Sequence, residues 1–462
     1  MIHQFRQNGY NIVLDIHSGG VAVVDDAAYR LLEELTPPNA EQPLAEECPP
    51  SLLEKLSGEF SEEELRGAYA ELFEMYRDGC LFSEDDYAQF ADRMVSSPIK
   101  AMCLHISHDC QLRCKYCFAS TGDFGEGRKL MDFETGKRAI DFLIAHSGSR
   151  RNLELDFFGG EPLMNWEVVK QVVAYAREQE KLHGKNFRFT ITTNGILLTE
   201  DKYEFLNREM SNVVLSIDGR KEVNDRMRPN AGGRGTYDTI MPKYQKFVEA
   251  RKASGNDQYY VRGTFTKYNL DFGEDVLHFN EMGFDQISVE PVVTDPKHDY
   301  ALREEDIPAI SAEYERLAKE LIARRKAGKG FNFFHFMIDL DQGPCAIKRL
   351  RGCGCGNEYV AITPDGDIYP CHQFVGMEEW KMGSLYDGSF DTRMKDYFAR
   401  ANIYGKEDCA DCWAKFYCSG GCNANNLQYA GDVLKPFKFS CELEKKRLEC
   451  AIMMKAALAD AE

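Results

Sequence analysis

Residues 102–118 read MCLHISHDCQLRCKYCF. The apolar stretch 100–107 has the length and composition of a buried strand. Cys110, Cys114 and Cys117 follow in one loop at its carboxyl end. Thiolates are soft ligands that suit iron–sulfur clusters. Spacings of three and two residues let a single loop wrap three irons of a [4Fe–4S] cluster and leave the fourth without a protein ligand. A zinc knuckle would need a fourth ligand that the loop does not supply.

Strand and helix patterns alternate from this point outward. Strands are expected at 100–107, 152–158, 186–193, 212–217, 259–266 and 286–293. Helices are expected near 133–146, 165–183, 200–208, 237–252, 272–281 and 305–325. Six such units imply a parallel sheet with right-handed crossovers. This suits a (β/α)6 partial barrel or a doubly wound sheet, and both put functional residues at the carboxyl ends of strands.

Two different regions flank this one. In 1–95, YNIVLD (10–15) and GVAVV (20–24) read as strands around the turn HSGG, followed by helical AAYRLLEEL and SEEELRGAYAELFEMYRDG. The Pro-rich stretch TPPNAEQPLAEECPP reads as a loop. Region 331–462 is rich in Gly and Cys and ends in a helical segment near 441–459. Of the 16 cysteines, ten lie between Cys345 and Cys450. In a long intracellular chain that density points to metal sites rather than disulfides. Cys48, Cys80, Cys103 and Cys450 read as buried packing residues, and His105 and His108 as packing or hydrogen-bonding groups.

The net charge of −19 counts against a nucleic-acid binder, which would carry a basic face. No apolar run is long enough for a membrane span. The N-terminus lacks the features of a signal peptide, so a cytoplasmic protein is expected.

Further segments fall at strand ends in order: Gly159-Gly160-Glu161-Pro162, Thr193-Asn194-Gly195, Ser216-Ile217-Asp218-Gly219, NDRMRP around Arg228, and Glu290-Pro291-Val292-Val293. Together with CX3CX2C and Tyr116 before its last cysteine, they resemble the radical S-adenosylmethionine (SAM) superfamily. The resemblance implies that Cys110, Cys114 and Cys117 hold a [4Fe–4S] cluster whose open iron takes SAM. It further implies that Gly159, Gly160 and Glu161 meet the SAM amino group, that Arg228 meets its carboxylate and that Ser216 and Asp218 reach its ribose. Tyr116, Asn194 and Val293 would complete the cofactor site. In that superfamily an electron from the cluster cleaves SAM to a 5′-deoxyadenosyl radical, which takes a hydrogen atom from carbon.

Gly366-X4-Cys371 and Cys409-X2-Cys412-X5-Cys418-X3-Cys422, with Cys441 after eighteen intervening residues, resemble a SPASM domain with two auxiliary [4Fe–4S] clusters. That resemblance assigns Cys409, Cys412, Cys418 and Cys441 to one cluster. Cys371 and Cys422 belong to the other, with Cys345, Cys353 and Cys355 competing for its remaining places. The expected total is three clusters.

The opening IHQFRQNGYNIVLDIHSGGVAVVDDAAYRLLEEL resembles maturases of SCIFF ("six cysteines in forty-five") peptides, and the likeness extends over all three regions. It implies a winged-helix-like leader-recognition domain (1–95), a partial (β/α)6 TIM-like barrel (96–330) and a Cys-rich SPASM domain (331–462). It also implies a Cys-rich precursor peptide as substrate, thioether links from Cys to carbon (often of Thr), and a reducing partner such as flavodoxin or ferredoxin. The alternatives are formylglycine formation as in sulfatase maturases, carbon–carbon cross-linking of a peptide, a non-catalytic iron–sulfur electron carrier, and a zinc-ribbon scaffold.

Overall fold

The computed structural model describes residues 1–39, 41–91, 97–340 and 350–459. The chain opens with β1 (Ile2–Gln7), β2 (Tyr10–Asp15) and β3 (Val21–Val24), an antiparallel sheet in that order. Sequence reading missed β1. Its signal was the pair Asn8-Gly9, both at positive φ, which makes a two-residue hairpin closing Gln7 onto Tyr10. Helices α1 (Asp26–Glu34), α2 (Pro50–Leu56) and α3 (Glu62–Arg77) pack together through Leu31, Leu52, Leu65 and Tyr69. α2 was also missed, because it lies at the end of the Pro-rich stretch. Ser61 and Glu64 form a capping box that starts α3. Cys48 and Cys103 are buried as expected, but Cys80 is exposed, just past the left-handed Gly79 that ends α3.

After a short α4 (Ala88–Ala91) comes the main sheet. Its parallel strands are β4 (Ala101–His108), β6 (Asn152–Gly159), β7 (Asn186–Thr193), β8 (Met210–Ser216), β9 (Tyr259–Phe265) and β10 (Gln286–Pro291). They lie side by side in chain order, as right-handed crossovers require. β5 (Lys129–Leu130) pairs antiparallel with the end of β4. Helices α5 (Phe133–His146), α6 (Trp166–His183), α7 (Tyr203–Glu209), α8 (Lys221–Met227), α9 (Tyr237–Ala253), α10 (Phe272–Glu281) and α11 (Ile307–Lys326) fill the connections. β4 is buried along its whole length, whereas β6 and β7 alternate. Leu153, Leu155 and Phe157, with Phe187, Phe189 and Ile191, sit in the same core as α5 and α6.

The C-terminal region does not stand apart from this sheet. β12 (Tyr359–Ile362) adds parallel to the free edge of β4, with Tyr359 opposite Ala101. β13 (Asp367–Tyr369), β14 (Gly383–Ser384) and β15 (Ser389–Phe390) continue it antiparallel, while the two-residue β11 (Asn332–Phe333) extends the other edge. The last helix, Lys438–Ala459, packs on α11 and on the N-terminal sheet. Cys450 is fully buried on it and accepts a hydrogen bond from Gln7 Nε2 at 3.1 Å. No helix among the described residues is long and apolar enough to cross a membrane.

The N-terminal unit is locked to the C-terminal one by polar contacts. The His3 ring stacks on Trp413 with centroids 3.8 Å apart. Asp85 accepts hydrogen bonds from buried Lys415 Nζ and from Tyr404 Oη, both at 2.7 Å. Removing one partner of a buried ion pair strands the other charge and costs on the order of 3 kcal/mol. Asp85→Asn is therefore expected to lower the thermal unfolding midpoint measurably, and an unchanged midpoint would count against this lock.

Candidate functional site

A cavity of about 320 Å³ opens at the carboxyl ends of the parallel strands. Cys110, Cys114, Tyr116 and Cys117 line it, with Gly159 and Gly160 from β6, Asn194 after β7, Ser216 from β8, Arg228, and Val293 beyond β10. The cysteine loop has little regular structure. It is held by backbone bonds from Arg113 N to Pro229 O (2.8 Å), Lys115 N to Met227 O (2.9 Å) and Ala231 N to Gln111 O (3.0 Å). These bonds lay the NDRMRP segment along the loop and bring Arg228 to the thiols.

Tyr116 makes the second tie. Its hydroxyl donates to both Asp218 carboxylate oxygens (2.7 and 2.8 Å) and accepts from Arg228 Nη1 at 2.9 Å. Thr264 N also donates to Asp218, at 3.1 Å. Asp218 is fully buried and does not line the cavity. Its oxygens are bonded by the tyrosine and by backbone, and Ser216 is the member of that pair that lines the space.

Glu161 too is fully buried, behind the wall. Its carboxylate accepts from Leu163 N (3.0 Å), Thr193 Oγ1 (2.8 Å) and Asn194 N (2.8 Å). It braces the end of β6 against the end of β7. The glycines before it are needed for close approach to β4. A Cβ at Gly159, where φ is +120°, would lie 2.2 Å from Ser107 O, and one at Gly160 would lie 2.3 Å from Asp109 O.

Burial pushes the thiols up, Cys110 to about 11 and Cys114 to about 12; neighbouring thiols add to this and Arg228 opposes it. Binding a metal there must displace protons. The cysteines are mutually close and Asn194 Nδ2 donates to Cys110 Sγ at 3.4 Å. The buried Arg228 Nε has no hydrogen-bond partner and is suited to an anion entering the cavity. The donor set therefore fits an iron–sulfur cluster beside a carboxylate-bearing ligand.

The C-terminal cysteines gather in two sets. Cys409, Cys412, Cys418 and Cys441 influence one another electrostatically. So do Cys353, Cys355, Cys371 and Cys422, with Cys355 hydrogen-bonded to Cys371. Cys353 and Cys422 carry exposed surface, yet burial raises both thiols, as expected for side chains lining a hollow. Cys345 lies outside the described residues. Among the described residues no three His, Cys, Asp or Glu side chains converge on a single-ion position.

Sequence reading missed the far wall. His372, Gln373, Asn425, Gln428 and Tyr429 reach the cavity from the C-terminal region, and the only hint was that His372 and Gln373 follow Cys371. Gln373 also approaches Cys422 Sγ, at 4.0 Å. Glu290 and Arg262 line the cavity as an ion pair at 2.6 Å. Burial alone would raise the Glu290 carboxyl, but Arg262, His335 and Arg447 outweigh it and hold it at about 2. His105 and His108 bond to each other at 3.0 Å behind the cysteine loop, in the packing role expected of them.

Two outcomes test this construction. Tyr116→Phe removes the hydroxyl bonded to both Asp218 and Arg228 and leaves them only their 3.8 Å ion pair, an expected loss of about 1–3 kcal/mol in thermal unfolding; a variant as stable as the parent contradicts the tie. Burial raises the Glu161 carboxyl to about 6, above its ordinary 4.5. A folded-state value above the unfolded one stabilises fully below about pH 4.5 and loses that contribution as pH rises through 6. The stability of the parent relative to Glu161→Gln should thus fall by about 2 kcal/mol over that window. A flat difference rules the shift out.

Residues 104–265 match the radical SAM superfamily, and residues 353–413 match SPASM, an iron–sulfur cluster-binding domain. The radical SAM cyclopropyl synthase TigE of Paramaledivibacter caminithermalis is 22% identical over 95% of this chain and 91% of its own. The cysteine-type anaerobic sulfatase-maturating enzyme of Clostridium novyi is 25% identical over 69% and 86%. Among solved structures, anSMEcpe with bound AdoMet and Kp18Cys peptide superposes with a TM-score of 0.65 at 20% identity, over 79% of this chain and 100% of that one. Streptococcus suis SuiB bound to its precursor peptide SuiA gives 0.52 at 17%, over 92% and 95%. Motif, cavity and these likenesses agree: the chain carries a radical SAM domain joined to a SPASM iron–sulfur domain.

Proposed function

We propose that this chain is a radical SAM maturase that joins cysteine sulfur to carbon, often of Thr, in a Cys-rich precursor peptide, using SAM and three [4Fe–4S] clusters. The observation that carries the reading is the composition of the cavity. One wall is the three-cysteine loop with Arg228, and the opposite wall comes from the region that carries the auxiliary cysteines. A peptide in that space lies between the two kinds of cysteine site.

Cys110, Cys114 and Cys117 would hold the cluster that leaves an iron to SAM. Arg228 would pair with the SAM carboxylate, Gly159 and Gly160 would let the ligand meet backbone, and Tyr116, Asn194, Ser216 and Val293 would line its remaining contacts. Cys409, Cys412, Cys418 and Cys441 would hold one auxiliary cluster. Cys353, Cys355, Cys371 and Cys422, which face one another, would hold the other. When bound, SAM and its cluster supply the radical chemistry that opens an unactivated C–H bond. The protein's part is to position the peptide and exclude water. Phe118, Phe158 and His372 form an aromatic face, with ring centroids 5.0–6.4 Å apart, for an apolar stretch of peptide. Glu290, held ionised, is a weak proton acceptor and is better placed to take a peptide N–H bond.

The N-terminal unit supports a peptide substrate. β3 is an edge strand whose Val23 is 53% exposed, a form that accepts a leader by strand addition. We read 1–95 as that recognition domain. A reducing protein such as flavodoxin or ferredoxin would supply electrons. Formylglycine formation is the second reading, favoured by the likeness to the Clostridium novyi enzyme.

The test is mass spectrometry of a Cys-rich precursor after anaerobic reaction with reconstituted enzyme, SAM and reductant, followed by thiol alkylation. Loss of two hydrogens and one alkylatable cysteine per link supports thioether formation. An aldehyde product, or loss of two hydrogens with all cysteines still alkylatable, overturns it. Cys114→Ser should abolish SAM cleavage altogether.

A further inference from the structure

Lys406 is 3% exposed. Its Nζ donates to Gly420 O at 2.6 Å and to Asn423 Oδ1 at 2.7 Å. Both acceptors belong to Cys418-Ser419-Gly420-Gly421-Cys422-Asn423, the short link that joins one auxiliary cysteine set to the other. Space for the side chain is built in: a Cβ at Gly420, where φ is +81°, would lie 2.8 Å from Lys406 Cδ and 3.1 Å from Nζ. Cys409 and Cys418 of one set, and Cys353 and Cys422 of the other, lie within electrostatic reach of this ammonium.

Among the described residues no carboxylate lies within ion-pair distance of it, and the ionisable groups that act on it most are those four cysteines. Burying a cation without a counter-charge costs several kcal/mol, so a lysine here calls for anions beside it. Cysteine thiolates carrying a cluster are such anions. An ammonium has three N–H donors, and Gly420 O and Asn423 Oδ1 take two of them.

We infer that Lys406 places one positive charge between the two auxiliary cluster sites and raises the reduction potential of both. This rests on the reading that both cysteine sets hold clusters. Reduction adds a negative charge to a cluster, and a nearby cation in a buried setting stabilises the reduced form more than the oxidised one. The electron left over when sulfur captures a carbon radical then finds a more willing acceptor, and the two sites stay matched to each other because they share the cation.

The experiment uses the anaerobically reconstituted full-length protein, with iron content and potentiometric titration followed by electron paramagnetic resonance. Signals of the auxiliary clusters are assigned in Cys114→Ser, which lacks the SAM-binding one. Parent protein with iron for fewer than three clusters defeats the underlying reading, independently of Lys406. Given three, Lys406→Met should move both auxiliary potentials to more negative values and leave the SAM-binding cluster where it was, while Lys406→Arg should return them toward the parent. Unmoved auxiliary potentials, or a shift in only one, overturn the inference. Where Lys406→Met holds less auxiliary iron, Lys406→Arg decides. Iron regained with arginine supports a charge shared by both sites, and iron still missing reduces Lys406 to a packing residue and overturns it.

Discussion

The hydroxyl of Tyr116, held between Asp218 and Arg228, is the contact on which the site depends. Three thiols in an irregular loop have no helix or strand to space them. Their spacing comes from what the loop is fastened to, and Tyr116, between Cys114 and Cys117, is the fastener. Its partners come from the end of β8 and from the segment after α8, so the loop is tied across the sheet to strands that follow it by a hundred residues. Asp218 and Arg228 are buried and Tyr116 is half-buried, a low-dielectric setting where a satisfied polar network is stiff and a broken one is costly.

Close packing enforces the rest. Gly159 and Gly160 let β6 pass against Ser107 and Asp109, and the Glu161 carboxylate then draws the start of the next loop inward through Thr193 and Asn194. The Gly159-Gly160-Glu161 segment is thus a joint between strands. Residues that touch the ligand space are often glycine backbone, while the charged residue beside them works from behind.

The same economy governs the relation between regions. β12 completes the open edge of β4, and this brings His372 and Gln373 to the mouth of the cavity. The N-terminal unit rests on the last helix and, through His3 and Asp85, on Trp413 and Lys415, which lie between Cys412 and Cys418. The part expected to hold a leader thus braces the part expected to hold a cluster, and neither is an appendage.

Much of this was legible in the chain. The six strands and the helices between them, α8 (Lys221–Met227) excepted, were readable because hydrophobic periodicity reports local backbone form, and CX3CX2C was readable because thiol spacing on one loop is a local property. β1 was legible too, in Asn8-Gly9, and was overlooked. Other features had no local signal. Which way Glu161 and Asp218 turn, the closeness of Cys353 and Cys355 to Cys371, the docking of β12 on β4 and the position of Lys406 between two cysteine sets all depend on residues far apart in sequence. The sequence by itself determined the elements and the donor atoms, because those follow from neighbours along the chain. Only the tertiary structure decided which donors face the cavity and which are consumed as braces, because a buried polar group bonds to whatever partner packing brings within reach.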